Sequence, residues 1–128
     1  MKRLFCLITF TFFLLLTQVP GAIAQTTSTR CGWFDNPTPG NASLFDKDGE
    51  WVIAVQGGHQ VLGDWSPKFK SSQWIRHGVG SYGFGCACFK MRVDADEKNV
   101  LEIFSAQAMP LASCRGDAAI KGIEKKLK

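Results

Sequence analysis

The clearest pattern of polar and apolar positions lies in residues 82–93, where the two kinds of side chain alternate. The odd positions are small or apolar and read Gly83, Gly85, Ala87, Phe89, Met91 and Val93. The even positions grade from aromatic through cysteine to charge, in the order Tyr82, Phe84, Cys86, Cys88, Lys90 and Arg92. A period of two predicts a β-strand whose odd face packs on the main core. The two cysteines should therefore lie on the opposite face, beneath a second layer.

A second strand is predicted to return along the first. Residues 94–99 are polar and indicate a turn, and residues 100–106 are again rich in apolar side chains. Pairing Val93 with Leu101 and Met91 with Ile103 brings apolar residues together and sets Arg92 opposite Glu102, a favourable cross-strand pair. The same register places Cys86 opposite Ala108. A slip of one residue would bury Glu102, which makes this register the preferred one.

The remainder of the chain predicts a hairpin and several loops. Residues 44–56 contain an entering segment, a turn at 47–49 and a buried return strand. Residues 36–43 and 56–74 carry prolines, glycines and serines and are predicted to be loops, with a short strand at 60–62. The fold class predicted is mainly β: a small antiparallel sheet, barrel-like or sandwich-like, cross-linked by two disulfides.

The N-terminus has the three parts of a secretory signal peptide. Lys2 and Arg3 precede an apolar run over residues 4–16, and Ala22 and Ala24 form the A-x-A pattern that signal peptidase reads. The run is shorter than the ~20 residues that a membrane span needs. We therefore predict a cleaved signal peptide at 1–24, a flexible leader at 25–30, a single β-rich domain at 31–117 and a basic tail at 118–128. No transmembrane anchor should remain after cleavage, and the protein should be periplasmic or secreted.

Four cysteines remain after cleavage, and an even number in a short exported chain indicates disulfides. They are Cys31, Cys86, Cys88 and Cys114. Two strand residues with one residue between them have Cα atoms about 6.6 Å apart, at the limit of disulfide geometry, so a Cys86–Cys88 bond is disfavoured. Of the two remaining connectivities we favour Cys86–Cys114 with Cys31–Cys88, because the chain leaving the return strand passes Cys86 on its way to Cys114.

Other short motifs in the chain could carry chemistry. A Cys-x-Cys pair can bind a metal or act in redox chemistry, but structural zinc sites and thioredoxin-like motifs use wider spacings. Residues 78–83 match G-x-G-x-x-G, but no helix is predicted after them, as a dinucleotide site requires. Asp46 and Asp48 resemble a fragment of a calcium loop, which a hairpin turn explains equally well. The sequence therefore predicts no catalytic residue, no cofactor, no metal and no nucleic-acid partner.

Aromatic side chains are the remaining signal, with four tryptophans in the chain. Trp65 and Trp74 are flanked by polar residues and are expected to be exposed, whereas Trp33 and Trp51 are expected to be buried. Loops on a rigid scaffold are where binding residues gather. The candidate binding surface is therefore Trp65 and Trp74 together with the strand end at Tyr82 and Phe84.

Four stretches resemble a bacterial family of small exported proteins catalogued as domain of unknown function 4087. They are RCGWFDNPTPGN (30–41), DGEWVIAVQGG (48–58), GSYGFGCACFKM (80–91) and PLASC (110–114), and they cover nearly all of the predicted mature chain. The resemblance implies a Gram-negative envelope protein, but it carries over no catalytic residue.

The function predicted is that of an exported, non-catalytic binding domain. Its partner would be an envelope glycan or a protein such as a cell-wall hydrolase. The alternative is an envelope enzyme, or a redox or metal-binding protein that uses Cys86 and Cys88. Free-thiol titration separates these hypotheses, because the first leaves no thiol to titrate.

Overall fold

The computed structural model describes residues 26–78 and 80–128. The predicted signal peptide therefore lies outside the described residues. Those residues form six strands in one mixed sheet: β1 Thr26–Thr38, β2 Asn41–Asp46, β3 Gly49–Ala54, β4 Trp74–Arg76, β5 Gly83–Asp94 and β6 Asn99–Met109. Helical structure within the described residues is limited to α1 Leu111–Arg115, α2 Ile123–Leu127 and 3₁₀ turns at Ser71–Gln73 and Ala118–Ile120. The predicted mainly β fold with two disulfides is confirmed.

The sheet closes on itself because β1 is long enough to pair with two partners. It runs antiparallel to both β2 and β5. The spatial order β5-β1-β2-β3 is a Greek key, and β6 fills the remaining gap between β3 and β5. The contact of β6 with β3 is parallel, at Val52 and Asn99, so the sheet is not purely antiparallel. The result is a small five-stranded Greek-key barrel, an architecture shared with OB-fold barrels, while β4 extends the edge of β5 beyond the end of β6.

Two hydrophobic cores lie on the two faces of β1 and β5. The main core is made mostly by residues that point into the barrel: Phe34, Ala42, Leu44, Trp51, Ile53, Ala54, Ala87, Phe89, Met91, Val93, Val100 and Ile103. The second core lies on the other face and is covered by the C-terminal segment; it contains Trp33, Phe84, Cys86, Cys114, Ile120 and Leu127. The prediction that the odd face of β5 packs on the main core, with Cys86 on the opposite side, is confirmed.

Residues 26–30 and 118–128 are more ordered than the sequence predicts. Residues 26–30 were expected to be a flexible leader, but they form the start of β1 and pair with β5 as far as Val93. A long β5 offers them backbone partners, and Arg30 adds an ion pair with Asp46 at 2.8 Å. Likewise, the expected basic tail folds back, burying Ile120 and Leu127 in the second core. Apolar residues spaced among the lysines make this possible.

Residues 36–43 differ from the predicted loop, because most of them belong to β1 and β2. The pairing between these strands shifts register between Asp35 and Thr38, which is where Pro37 lies. A proline is accepted in a strand at such an irregularity because its missing N–H is not needed there. Gly40, with φ of 70°, makes the turn between the strands.

The register of β5 against β6 agrees with the prediction at its centre and differs on both sides of it. Val93 lies opposite Val100 rather than Leu101, because the pairing shifts between Arg92 and Val93. Met91 lies opposite Ile103, as expected, but the pairing shifts by one residue between Lys90 and Met91. Cys86 therefore lies opposite Met109 rather than opposite Ala108, the predicted partner. A bulge of this kind adds one unpaired residue and cannot be read from the alternation of side chains.

Candidate functional site

An open groove of about 450 Å³ runs beside β4, between β1 and the loop that precedes β4. Its volume is within the range of small-molecule sites in proteins. The lining side chains come from β1, from residues 65–71, from β4 and from the turn after it. They are Phe34, Asn36, Trp65, Ser66, Pro67, Lys68, Phe69, Lys70, Ser71, Trp74, Arg76 and Ser81.

Four aromatic rings form the floor of the groove. Phe34 is buried and stacks on Phe69, with ring centroids 6.0 Å apart and planes inclined by 20°. Phe69 in turn contacts Trp74 at 4.7 Å, and Trp65 lies 6.1 Å from Phe34. These separations are those of interacting aromatic pairs, so the floor is a rigid continuation of the main core.

Glycines allow the loop to approach the barrel this closely. A Cβ atom on Gly85 would lie 2.7 Å from the Phe69 ring and 2.6 Å from the carbonyl oxygen of Gln73. Gly63 has φ of 94°, and a side chain there would collide with the carbonyl oxygen of Ile103. The space beside Gly85 on β5 is therefore filled by the ring of Phe69.

Three cations surround the aromatic floor. Lys68 and Lys70 flank Phe69 in the loop, and Arg76 lies at the end of β4. All three are exposed, and none forms an ion pair within residues 26–78 and 80–128. No carboxylate is found among the described side chains that line the groove. The site therefore combines an apolar floor with an uncompensated positive rim.

Two of the four residues of the predicted binding surface lie in this groove. Trp65 and Trp74 were expected to be exposed, but they are half-buried and pack against the main core. Trp74 also donates from Nε1 to the carbonyl oxygen of Ser81 at 3.0 Å. Tyr82 is half-buried, and the groove is lined by other residues.

Phe84 does not belong to the binding surface. It is fully buried in the second core, with its ring edge-on to Trp33 at 5.7 Å. The C-terminal segment forms the second layer that was predicted over the cysteines, and this layer extends over Phe84 as well. The prediction for Phe84 is therefore corrected.

A histidine–carboxylate pair joins the residue that follows β4 to β1, near this buried ring. His77 Nε2 lies 2.7 Å from Asp35 Oδ1. Burial raises the pKa of Asp35, and the hydrogen bond with His77 opposes that rise. Among the described residues no serine, threonine or cysteine side chain hydrogen-bonds to His77, so the nucleophile–base contact of a catalytic triad is not formed. The pair connects two strands instead.

The acidic turn between β2 and β3 is neutralised by basic side chains. Arg30 contacts both Asp46 and Asp48 at 2.8 Å, and with Lys47 it lowers the pKa of Asp48 to about 2. Asp46 also accepts from Trp51 Nε1 at 2.9 Å. The described residues contain no cluster of three or more potential metal ligands, so the calcium-loop alternative finds no support in this turn.

The disulfides follow the favoured connectivity. Cys31 is bonded to Cys88, and Cys86 to Cys114. The first bond links β1 to β5, and the second ties α1 to the second core. Because Cys86 and Cys88 are bonded to separate partners, neither is a free thiol in this structure. The alternative of a redox or metal-binding protein requires these two thiols as a pair, and the structure does not support it.

The family model described as Protein of unknown function (DUF4087) matches residues 25–121. The chain belongs to this DUF4087 family. The match includes every residue that lines the groove and all four disulfide cysteines, so both features lie inside the family's domain. Comparison of this DUF4087 member with curated proteins and with solved structures gave no match. In the part of the chain that the structure describes, no helix is long and apolar enough to cross a bilayer.

The binding surface predicted from the sequence did not include two of the four floor rings, Phe34 and Phe69. It also did not include the three cations at the rim of the groove. Phe69 lies between Lys68 and Lys70, and this lysine–aromatic–lysine run is the signal that could have indicated the groove. Phe34 and Arg76 carry no such local signal, because only the pairing of β1 and β4 with β5 brings them together.

Proposed function

We propose that this protein is exported to the periplasm or secreted, and that it acts by binding a ligand in the aromatic groove rather than by catalysis. The N-terminal sequence supports export, since residues 1–24 have the pattern of a cleaved signal peptide. The two disulfides support it too, because such bonds persist in oxidising compartments. The ligand would be an envelope glycan or a protein partner such as a cell-wall hydrolase.

The observation that carries the binding proposal is the groove itself. An apolar floor with a small number of polar groups at its rim is the usual composition of a ligand site. Here the floor is held by the barrel core through Phe34, and the rim carries cations that no described side chain neutralises. Stability of the fold alone does not require an open groove with a positively charged rim around half-buried tryptophans.

Two experiments test this proposal. Mass analysis of the protein recovered from the periplasm or medium should show a chain that begins at Gln25; an intact Met1 would contradict export. Affinity capture from envelope fractions and from lysozyme-containing fluids should retain a partner that is lost in the Trp74→Ala variant. Phe104→Ala is the matched control, because Phe104 is half exposed and lies outside the groove. Equal capture by both variants would overturn the groove as the binding site.

A further inference from the structure

The charge around the groove selects the kind of ligand it can hold. Lys68, Lys70 and Arg76 reach its rim from two chain segments, and the described lining residues include no acidic side chain. Charges of one sign around a concave site concentrate the potential there and attract ligands of the opposite sign. A neutral ligand would leave three cations without a partner, whereas an anionic one pairs with them.

The shape of the aromatic floor favours a flat ring over a protein surface. Trp65 and Trp74 are half-buried and offer ring surface within a concavity. The exposed large apolar side chains of the described residues lie elsewhere, at Val55, Leu62 and Phe104. Protein partners are usually bound through apolar anchors that pack into fully desolvated pockets, and this groove is wide and ringed by charge.

Polar groups at the rim complete the chemistry. Ser66, Ser71 and Ser81 are exposed, and Asn36 joins them along the groove. Hydroxyl and amide groups can donate to and accept from the hydroxyl groups of a sugar. A pyranose ring has an apolar face that suits an aromatic ring, and its hydroxyls would reach these side chains.

From these three features we infer that the groove binds an acidic saccharide, one whose sugar rings carry carboxylates. The ring faces would lie on Trp65 and Trp74, and the carboxylates would pair with Lys68, Lys70 and Arg76. This inference rests on the proposed function, because it names the ligand class of the same groove. Single-stranded nucleic acid also uses aromatic and basic side chains, but the proposed export and the hydroxyl-bearing rim favour a sugar.

The test compares two probes with the same sugar rings and linkage, one with free carboxylates and one with uncharged methyl esters. Tetragalacturonate and its fully methyl-esterified form are titrated into the mature protein by calorimetry, at low and at high salt. We expect the acid to bind about tenfold more tightly than the ester at low salt, because charge-assisted hydrogen bonds are roughly twice as strong as neutral ones. The difference should shrink at high salt, since exposed charges are screened.

Variants locate the effect in the groove. The double variant Lys68→Gln/Lys70→Gln should lose most of the preference for the acid over the ester, and Arg76 should account for the part that remains. Lys90→Gln/Lys121→Gln is the matched control, since it removes the same number of charges from two exposed lysines outside the groove, and it should keep the full preference. If this control removed as much binding as Lys68→Gln/Lys70→Gln, the preference would come from net charge alone, and the inference would be overturned.

The remaining outcomes separate this inference from the proposed function. Equal binding of acid and ester, lost in Trp74→Ala, overturns the acidic ligand and leaves the groove as a binding site. Tighter binding of an oligothymidylate or of a hexaglutamate peptide overturns the saccharide class. Binding of no probe also overturns it, whereas the proposed function then stands or falls on the partner capture described above.

Discussion

Phe69 occupies the space that a side chain on Gly85 would fill, so that a Cβ atom there would lie 2.7 Å from the Phe69 ring. This contact connects the floor of the groove to the central strand of the barrel. It means that one glycine of β5 determines how closely the loop with its two lysines lies against the sheet. Both the stability and the shape of the groove therefore depend on it.

Replacing Gly85 by alanine should destabilise the fold and displace the groove floor. The added methyl group meets the Phe69 ring and also the carbonyl oxygen of Gln73 at 2.6 Å, which belongs to backbone and cannot rotate away. Overpacking of this kind costs about 1–3 kcal/mol, measurable by urea unfolding. Gly58→Ala is the control, because a Cβ there would lie at an ordinary 3.6 Å from Val55. Similar losses in both variants would show that the contact with Phe69 is not the cause.

The tryptophans should differ in what they contribute to stability. Trp51 is 1% exposed and donates to Asp46, so Trp51→Ala should cost about 3–5 kcal/mol of unfolding free energy. Trp65 and Trp74 are half-buried, and each alanine variant should cost less, about 1–2 kcal/mol, in proportion to the smaller apolar area lost. Chemical denaturation measures all three. A loss at both groove positions as large as that at Trp51 would make them core residues rather than a ligand-facing pair.

The alternation of side chains in β5 was enough to predict the main core, the opposite face and the place of the disulfides. It works because successive residues of a strand point to opposite faces of the sheet. Phe89, at an odd position, and Cys86, at an even one, therefore lie on opposite faces. The same rule placed Phe84 on the face opposite the main core. It predicted a second layer over the cysteines of this face, but it could not say that the layer also covers Phe84, because the cover includes Ile120 and Leu127, which are distant in sequence.

The groove could not be predicted from any single segment of the chain. Phe34, Phe69 and Arg76 come from different parts of the chain and meet only because β1 and β4 both pair with β5. The order of residues 26–30 was missed for a related reason. Their polar composition resembles a leader, and it is the length of β5 that gives their backbone groups a partner.

The two disulfides should stabilise different parts of the molecule. The Cys31–Cys88 bond closes 57 residues and the Cys86–Cys114 bond closes 28, which the chain-entropy relation converts to about 4 and about 3.5 kcal/mol. The double variant Cys86→Ser/Cys114→Ser should therefore unfold more easily and should also release the segment after β6 from the second core. Hydrogen exchange should rise in residues 111–128 more than in β1 and β5.

The variant Cys31→Ser/Cys88→Ser is the comparison for that experiment. It should lower global stability while leaving the exchange of the C-terminal segment close to that of the wild type, since α1 is held by the other bond. The unaltered mature protein should contain no titratable thiol. Two free thiols in the native protein would contradict the connectivity and revive a role for Cys86 and Cys88 as reactive groups.

The C-terminal segment should also loosen in acid, because one carboxylate holds its last helix. Arg115 donates from Nη2 to Glu124 at 2.8 Å and from Nε at 3.0 Å, and this hydrogen bonding, with a smaller effect of Lys128, lowers the pKa of Glu124 to about 2. A carboxyl whose pKa is lower in the folded state than in the unfolded state contributes stability above its unfolded value, which is about 4.3. That contribution is lost as the pH falls from about 4.5 toward 2.

Glu124→Gln should therefore remove part of the acid sensitivity of α2. Between pH 5 and pH 2.5, proteolysis or hydrogen exchange of residues 118–128 should increase in the wild type, and the increase should be smaller in Glu124→Gln, which is already weakened at pH 7. Arg115→Gln should reproduce this result, since its guanidinium is the main cause of the lowered pKa. Glu97→Gln, at an exposed turn outside the ion pairs of the described residues, should behave as the wild type does. An acid response unchanged in both Glu124→Gln and Arg115→Gln would assign the loosening to another group.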